Sequence, residues 1–329
     1  MPKLDQIQSI LKKASGVSAV NWWPKYIYHY TDLTNAIGIL KECKIFSRNS
    51  VGELANENAS KDVIEHTSVE VLDYVRFYFR PKTPTQYRNE GFILRNQRWS
   101  NAHVPIPIFF AFKADKMFER EDVLFSEVSL ANKEHRLTNE LNELEKFDFR
   151  KIYSDGGYKG EKLTPYRHAE IVIPSNCNLE NLSNIWCRSN AEYNYLCYLL
   201  KQEGIYEKYR NLIGLKENDS SIFYKQSVYI SKVDLYNTGV NVVYRNSYLI
   251  EPENKNLEIT YIVNIGNKRF KRVFYGNGLS EDRVQFNSDM IEWIDKNKKE
   301  YIFKILFDEY CVFEGKYSEV KNLNEELPY

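Results

Sequence analysis

Neither sign of charge is in excess in this sequence: 45 Lys and Arg stand against 45 Asp and Glu. A protein that coats nucleic acid permanently is normally basic, so that class is excluded. Any nucleic-acid contact has to come from a local patch and be transient. Cysteine is sparse as well. Cys43, Cys177, Cys187, Cys197 and Cys311 are odd in number and no two have CxxC spacing. That fits neither a disulfide framework nor a structural zinc site, and reads as reduced thiols in a cytoplasmic protein. The opening MPKLDQIQSILKKASG has no apolar core of the secretion type. No run reaches the length of a membrane span, so no membrane association is expected. Also missing are a GxGxxG turn, a P-loop and an HExxH pair, which removes the common nucleotide-fold and zinc-hydrolase classes.

Aromatic residues are plentiful, with 25 Tyr, 18 Phe and 5 Trp in 329 residues. Such a content suits β-rich segments and also stacking on bases or nicotinamide. Leu4, Ile7, Ile10 and Leu11 keep a helical spacing over 3–14. A strand over 26–30 leads into a helix through Leu33, Ile37 and Leu40, capped by Thr31 or Asp32. Residues 50–73 are polar and acidic and read as a long loop. YVRFYF (74–79), PIPIFFAF (105–112) and AEIVI (169–173) read as strands, and 190–213 has helical spacing. After KENDSS the texture becomes strand-dominated, with strands expected at 227–233, 240–250, 257–265, 269–275 and 301–313 and a helix near 288–297. A domain boundary is therefore expected near 216–222, dividing 1–217 from a β-rich 218–329.

Four segments combine to suggest a chemistry. They are IYHYTDLTNAIGIL (27–40), DYVRFYFRPKTPT (73–85), LFSEVSLA (124–131) and YRHAE (166–170). Their order and spacing resemble the DarT family of DNA ADP-ribosyltransferase toxins over roughly residues 24–200. A family-like L-x-x-I-D-W stretch appears as LEKFDF, residues 144–149. The resemblance implies an α+β fold, with an ADP-ribosyltransferase-like split antiparallel sheet holding NAD⁺ in its cleft as co-substrate. It calls for no metal.

On this resemblance Glu170 is the catalytic carboxylate. Transfer from NAD⁺ passes through a state with developing positive charge on the ribose, which a carboxylate offsets. The same group can take a proton from the attacking base. Alternation along AEIVI puts Glu170 opposite Ala169, Ile171 and Ile173, on the open side of the sheet. A lone strand glutamate is more often solvent-facing; the four-segment match is what singles this one out. His29, Thr31 and Asn35 are implied at the adenosine end of NAD⁺, and Tyr74, Tyr78 and Phe79 as an aromatic wall. Alternation puts Tyr74, Arg76 and Tyr78 on one face and Phe77 and Phe79 on the other, so one row faces the cleft and the other the core.

Arg76, Arg80, Lys82, Arg88, Arg95 and Arg98 form a basic run interleaved with Tyr78, Tyr87 and Trp99. Cations with rings suit single-stranded nucleic acid. Arg76, Arg80, Lys82, Tyr87 and Arg88, with Arg167 and His168 beside the glutamate, are the candidate nucleic-acid contacts. A solvated charged face is the plainer account of such a run.

The sequence departs from the family in four places. DNA-thymidine-modifying members have an arginine in the loop before the aromatic strand; residues 50–73 contain none, and Arg48 is the candidate replacement. The family's proline in DYVPFYF is Arg76, its methionine after S-P is Thr85, and its histidine in the T-D-x-H-A segment is Ser129. The expected activity is mono-ADP-ribosylation of a base, thymine or guanine, in single-stranded DNA, by a toxin or phage-defence effector paired with an antitoxin protein. Modification of an RNA base, transfer to protein, or a catalytically silent nucleic-acid-binding module stand as alternatives. A basic strand, KRFKR at 268–272, reads either as a nucleic-acid contact or as a charged, protected edge.

Overall fold

The computed structural model describes residues 3–52, 69–94, 98, 103–156, 162–245, 257–275 and 280–319. Arg95, Trp99 and most of the acidic 50–73 loop lie outside them. Two compact units emerge. The first is Met1–Arg188 with Glu203–Lys225, and the second is Ser189–Gln202 with Gln226–Tyr329. The expected boundary at 217/218 falls inside the first unit. Ile222 and Phe223 are buried there, in a cluster with Tyr28, Phe109, Ala111 and Trp186. Glu90 secures this return segment by accepting from the backbone N–H groups of Tyr224 (2.9 Å) and Lys225 (2.8 Å).

In the first unit, helix α1 (Lys3–Val17) buries Ile7, Ile10 and Ala14. Strand β1 (Tyr26–Asp32) runs into helix α2 (Leu33–Glu42). Asp32 caps α2, its carboxylate accepting from Thr34 N at 3.0 Å, and the helix ends where Cys43 adopts a left-handed φ of 54°. Then come β2 (Lys44–Phe46), β3 (Tyr74–Tyr78), helix α3 (Pro84–Asn89), β4 (Pro107–Lys113), helix α4 (Ala114–Phe118) and β5 (Leu124–Ser126). They are followed by β6 (Glu170–Pro174), β7 (Asn176–Asn178), β8 (Leu182–Cys187) and β9 (Ile213–Leu215). Seven of these strands form one sheet in the order β5-β6-β3-β1-β4-β8-β9, antiparallel except for β8 with β9.

The sheet is continuous, and its shortest pairing is between β1 and β3. There a single register pair, Tyr28↔Tyr78, joins the strands, whereas β1 and β4 pair over seven residues. Burial along β3 alternates. Val75 and Phe77 are buried, while Tyr74, Arg76 and Tyr78 are half-buried. The row on the open side is therefore the one carrying Arg76.

The stretch 190–213 is not one helix. Helix α5 (Asn190–Gln202) stops before Gly204, whose φ of +69° suits a helix terminus, and the chain turns into β9. In the second unit, β10 (Tyr229–Tyr236), β11 (Gly239–Arg245) and the unexpected β14 (Glu281–Gln285) form a sheet ordered β10-β11-β14. A second sheet has the order β13-β12-β15-β16, from β12 (Glu258–Ile265), β13 (Lys268–Tyr275), β15 (Glu300–Phe307) and β16 (Tyr310–Ser318). The run expected as one strand over 301–313 is a hairpin, turning where Asp308 takes a φ of 50°. Helix α6 (Ser288–Lys296) is capped by Asn287. Among the described residues no helix is long and apolar enough to cross a membrane.

Candidate active site

Glu170 opens β6, just after a single 3-10 turn over Tyr166–His168. Two neighbouring strands are in register with it, β3 at Tyr78 and β5 at Ser126. Paired residues of an antiparallel sheet share a face, so Tyr78, Glu170, Arg76 and Val172 lie on one side. Arg76 pairs with Val172 and reaches diagonally to the carboxylate. Its Nε donates to Oε2 and its Nη2 to Oε1, each at 2.6 Å. This two-pronged fit is the strong form of a charge-assisted hydrogen bond. Oε1 also accepts from Ser129 Oγ and from the Leu130 backbone N–H, both at 3.2 Å. The loop after β5, singled out in the sequence for its order, is thus delivered to the glutamate.

The carboxylate lies on the same side of the sheet as the half-buried row of β3, but it is covered there. Glu170 has no exposed side-chain surface, whereas Arg76 keeps 27% of its own. The guanidinium lies between the carboxylate and solvent. Burial works against the Arg76 cation, but the facing carboxylate outweighs it and holds the group protonated. Burial pushes the Tyr78 phenol up to about 12, with Arg76 opposing and Glu170 adding. Oε1, with three donors, has no lone pair to spare. Oε2 has one named donor and is the oxygen able to accept another.

His29 lies on β1, next to the register pair that joins it to β3. It follows Tyr28, and its ring lies against Phe77 and Phe110. Its Nδ1 is 3.1 Å from the Arg76 carbonyl, which can only accept, so Nδ1 carries the proton. That bond satisfies a backbone group where the ladder is open. Burial lowers the His29 pKa to about 4, the bond to Arg76 opposing. The ring is therefore neutral and its Nε2 is an acceptor. Thr31 and Asn35 are buried at the junction of β1 and α2.

Several candidates occupy other places than expected. Phe79 is a core residue, packed edge-on against Phe118, Phe147 and Tyr153, and is not part of a wall for nicotinamide. Arg80 is 2% exposed, stacks 4.4 Å over Trp23 and donates to the carbonyls of Pro81 and Ser154. It is an internal brace and not a nucleic-acid contact. Arg76 serves the glutamate, not a phosphate. Arg167 donates to Ser154 Oγ at 3.0 Å and to the Gly156 carbonyl, fixing a turn. His168 accepts from Thr85 N at 3.1 Å, and its Nδ1 faces the Thr164 carbonyl at 3.1 Å. Its ring ties α3 to the turn before Glu170, and burial lowers its pKa.

Tyr74 is half-buried against Val71, Leu130 and Val172. Arg48 is half-buried in the turn after β2, where the next residue, Asn49, bonds Leu72 O at 3.1 Å. That is the start of β3, while Glu170 stands beside its end. Lys82, Tyr87 and Arg88 remain at the surface. Lys82 Nζ lies 5.4 Å from the Tyr224 ring and Tyr87 packs edge-on against the same ring at 5.2 Å. The sequence reading missed Ser129 and Leu130 as partners of the glutamate. The signal was the position of the segment 124–131 in the order of motifs; the register that uses it is not written in the sequence.

A family model described as "ssDNA thymidine ADP-ribosyltransferase, DarT" matches residues 28–211, more than half of the chain. The chain belongs to the DarT family, ADP-ribosyltransferases that use NAD⁺ and act on thymidine in single-stranded DNA. Solved structures similar to it include Thermus sp. 2.9 DarT in complex with ADP-ribosylated ssDNA, at 17% identity and TM-score 0.48, covering 59% of this chain and 95% of that one. Thermus sp. 2.9 DarT in complex with NAD⁺ is 17% identical with a TM-score of 0.44, covering 59% and 96%. Thermosipho africanus DarTG in complex with ADP-ribose is 15% identical with a TM-score of 0.46, covering 58% and 49%. These are distant likenesses, and the assignment rests on the family match. Among curated proteins none matches the chain.

Proposed function

We propose that Glu170 is the catalytic carboxylate of ADP-ribosyl transfer to thymidine, and that Arg76 is its positioning residue. The observation that carries this reading is the enclosure of Glu170 by four donor groups from three residues. Isolated buried carboxylates are expensive, and this one is retained at the centre of the family's motifs. NAD⁺ supplies the ADP-ribosyl group on a good leaving group, nicotinamide, and positive charge develops as that bond breaks. Glu170 stabilises that charge. Its Oε2, which can accept a second donor, holds a ribose hydroxyl, and the carboxylate takes the proton from the attacking base. Ser129 and Leu130 keep Oε1 in place meanwhile. His29, neutral with Nδ1–H committed to Arg76 O, offers Nε2 to a hydroxyl of the adenosine end. Thr31 and Asn35 shape the end of β1, and Tyr78 borders the reacting group.

Lys82, Tyr87 and Arg88 are the surface cations and ring on which the target strand lies. No metal has a part in this scheme. In the cell the reading is of a cytoplasmic toxin held in check by an antitoxin protein.

The test is incubation with labelled NAD⁺ and, separately, thymidine-containing single-stranded DNA, thymidine-free DNA, RNA and a protein mixture. Label is expected on the first alone and is expected to vanish with Glu170→Gln. Label confined to RNA or protein, or surviving the substitution, refutes the assignment.

A further inference from the structure

The second unit contains a surface that the reaction scheme does not use. The sheet β13-β12-β15-β16 has a core face, carrying Tyr301, Phe303, Ile305 and Phe307, and an opposite face that is half-exposed along Ile302, Lys304 and Leu306. On that opposite face the edge strand β13 presents Arg269, Lys271, Val273 and Tyr275, which alternation places together. All four are exposed, Tyr275 to 64%. Further in, Lys304 is neutralised by Glu314 at 2.8 Å and Lys316 by Glu300 at 2.7 Å. Arg269 and Lys271 have no acidic partner among the described residues. Arg269 lines a cavity of about 340 Å³ together with Ile262, Leu306, Asn264, Lys304 and Glu314.

The alternative account of a charged edge is protection from strand pairing. Protected edges are short, bulged or lined with charged side chains, and β13 has the last of these. This one runs eight residues in regular register, and it exposes Val273 and Tyr275 beside its cations. A pair of uncompensated cations on the same face as an exposed ring is instead the pattern that takes a single strand: cations for phosphates, a ring for an unstacked base. We propose that this face of β13 is a second binding surface for single-stranded DNA, with Arg269 and Lys271 on phosphates and Tyr275 under a base. The proposal rests on single-stranded DNA being the substrate of the chain.

The test is equilibrium binding of the full chain, without NAD⁺, to a fluorescent thymidine-containing single strand at several salt concentrations. Arg269→Ala with Lys271→Ala is expected to weaken binding about tenfold and to flatten the salt slope by about 1.4, since each phosphate that a cation neutralises on a single strand adds roughly 0.7 to the slope. Tyr275→Ala is expected to weaken binding with the slope unchanged. Unchanged affinity and slope in the double variant, or no binding by the wild-type chain, overturns the proposal. Thermal melting confirms that the variants fold, since all three side chains are exposed. ADP-ribosyl transfer assayed on the same samples separates the two readings. Binding that depends on β13 without transfer sinks the enzyme assignment alone, and transfer with β13-independent binding sinks this surface alone.

Discussion

Arg76 and Glu170 should be energetically coupled well beyond a surface ion pair. Two hydrogen bonds of 2.6 Å join them, with the glutamate fully enclosed and the arginine 27% exposed. At about 4 Å between charge centres the attraction is roughly 1 kcal/mol in water and about 4 kcal/mol at an effective dielectric of 20. The partial exposure of Arg76 lets water take up part of the loss, which places the coupling at about 2–3 kcal/mol. A double-mutant cycle of Arg76→Ala and Glu170→Gln measures it by urea unfolding. Fluorescence of Trp22, Trp23 and Trp186 follows the first unit, to which all three belong. Arg76→Ala alone should be the more harmful single change, since it leaves a buried carboxylate with two weaker donors. In Glu170→Gln the same substitution should cost little. A coupling below about 0.5 kcal/mol, the value of an exposed pair, refutes the idea that Arg76 positions the glutamate. In transfer assays Arg76→Lys, which keeps the charge without the fork, should lower kcat more than it raises the KM for NAD⁺.

Phe79→Ala should destabilise the first unit by about 3–5 kcal/mol through the cavity left among Phe118, Phe147 and Tyr153. At a temperature where it is folded, its KM for NAD⁺ should be unchanged, and a selective rise in KM would restore Phe79 to the cofactor wall. Lys82→Ala with Arg88→Ala should raise the KM for single-stranded DNA and flatten its salt dependence while leaving kcat alone; an altered kcat at saturating DNA would contradict that placement. Stability should fall on acidification. Burial depresses His29 to about 4 and His103 to about 3, so both are neutral when folded and take up protons when unfolded. Each contributes stability that is present above the unfolded value of about 6.5 and is lost as pH falls towards the folded value, at about 1.4 kcal/mol per pH unit. Unfolding curves in which His29→Gln and His103→Gln leave the slope between pH 6 and pH 4 unaltered would rule this out.

Much of the architecture was legible because it is local. Period-two alternation marked β3 and β6, Thr31 or Asp32 announced the start of α2, and a change of texture marked the β-rich region. The order of the four motifs was enough to point to Glu170 and to the family. The sequence could also say that Tyr74, Arg76 and Tyr78 share a face, since that follows from strand geometry alone.

What it could not say was which strands lie side by side and in what register. That Arg76 stands diagonal to Glu170 depends on β3 pairing with β6 at Tyr78, which links residues 92 positions apart. A basic residue in a run of basic residues carries no mark distinguishing a phosphate ligand from an internal brace. Packing decided that Arg80 turns inward over Trp23 and that Lys82 and Arg88 stay out. The same holds for the boundary between the units. KENDSS reads as a linker, yet Ile222 and Phe223 return to the first core because a pocket for them exists beside Tyr28 and Phe109. Alternation, capping and motif order are properties of neighbouring residues and are written in the chain. Register, burial of charge and the choice of partner are properties of segments that meet only when the chain folds.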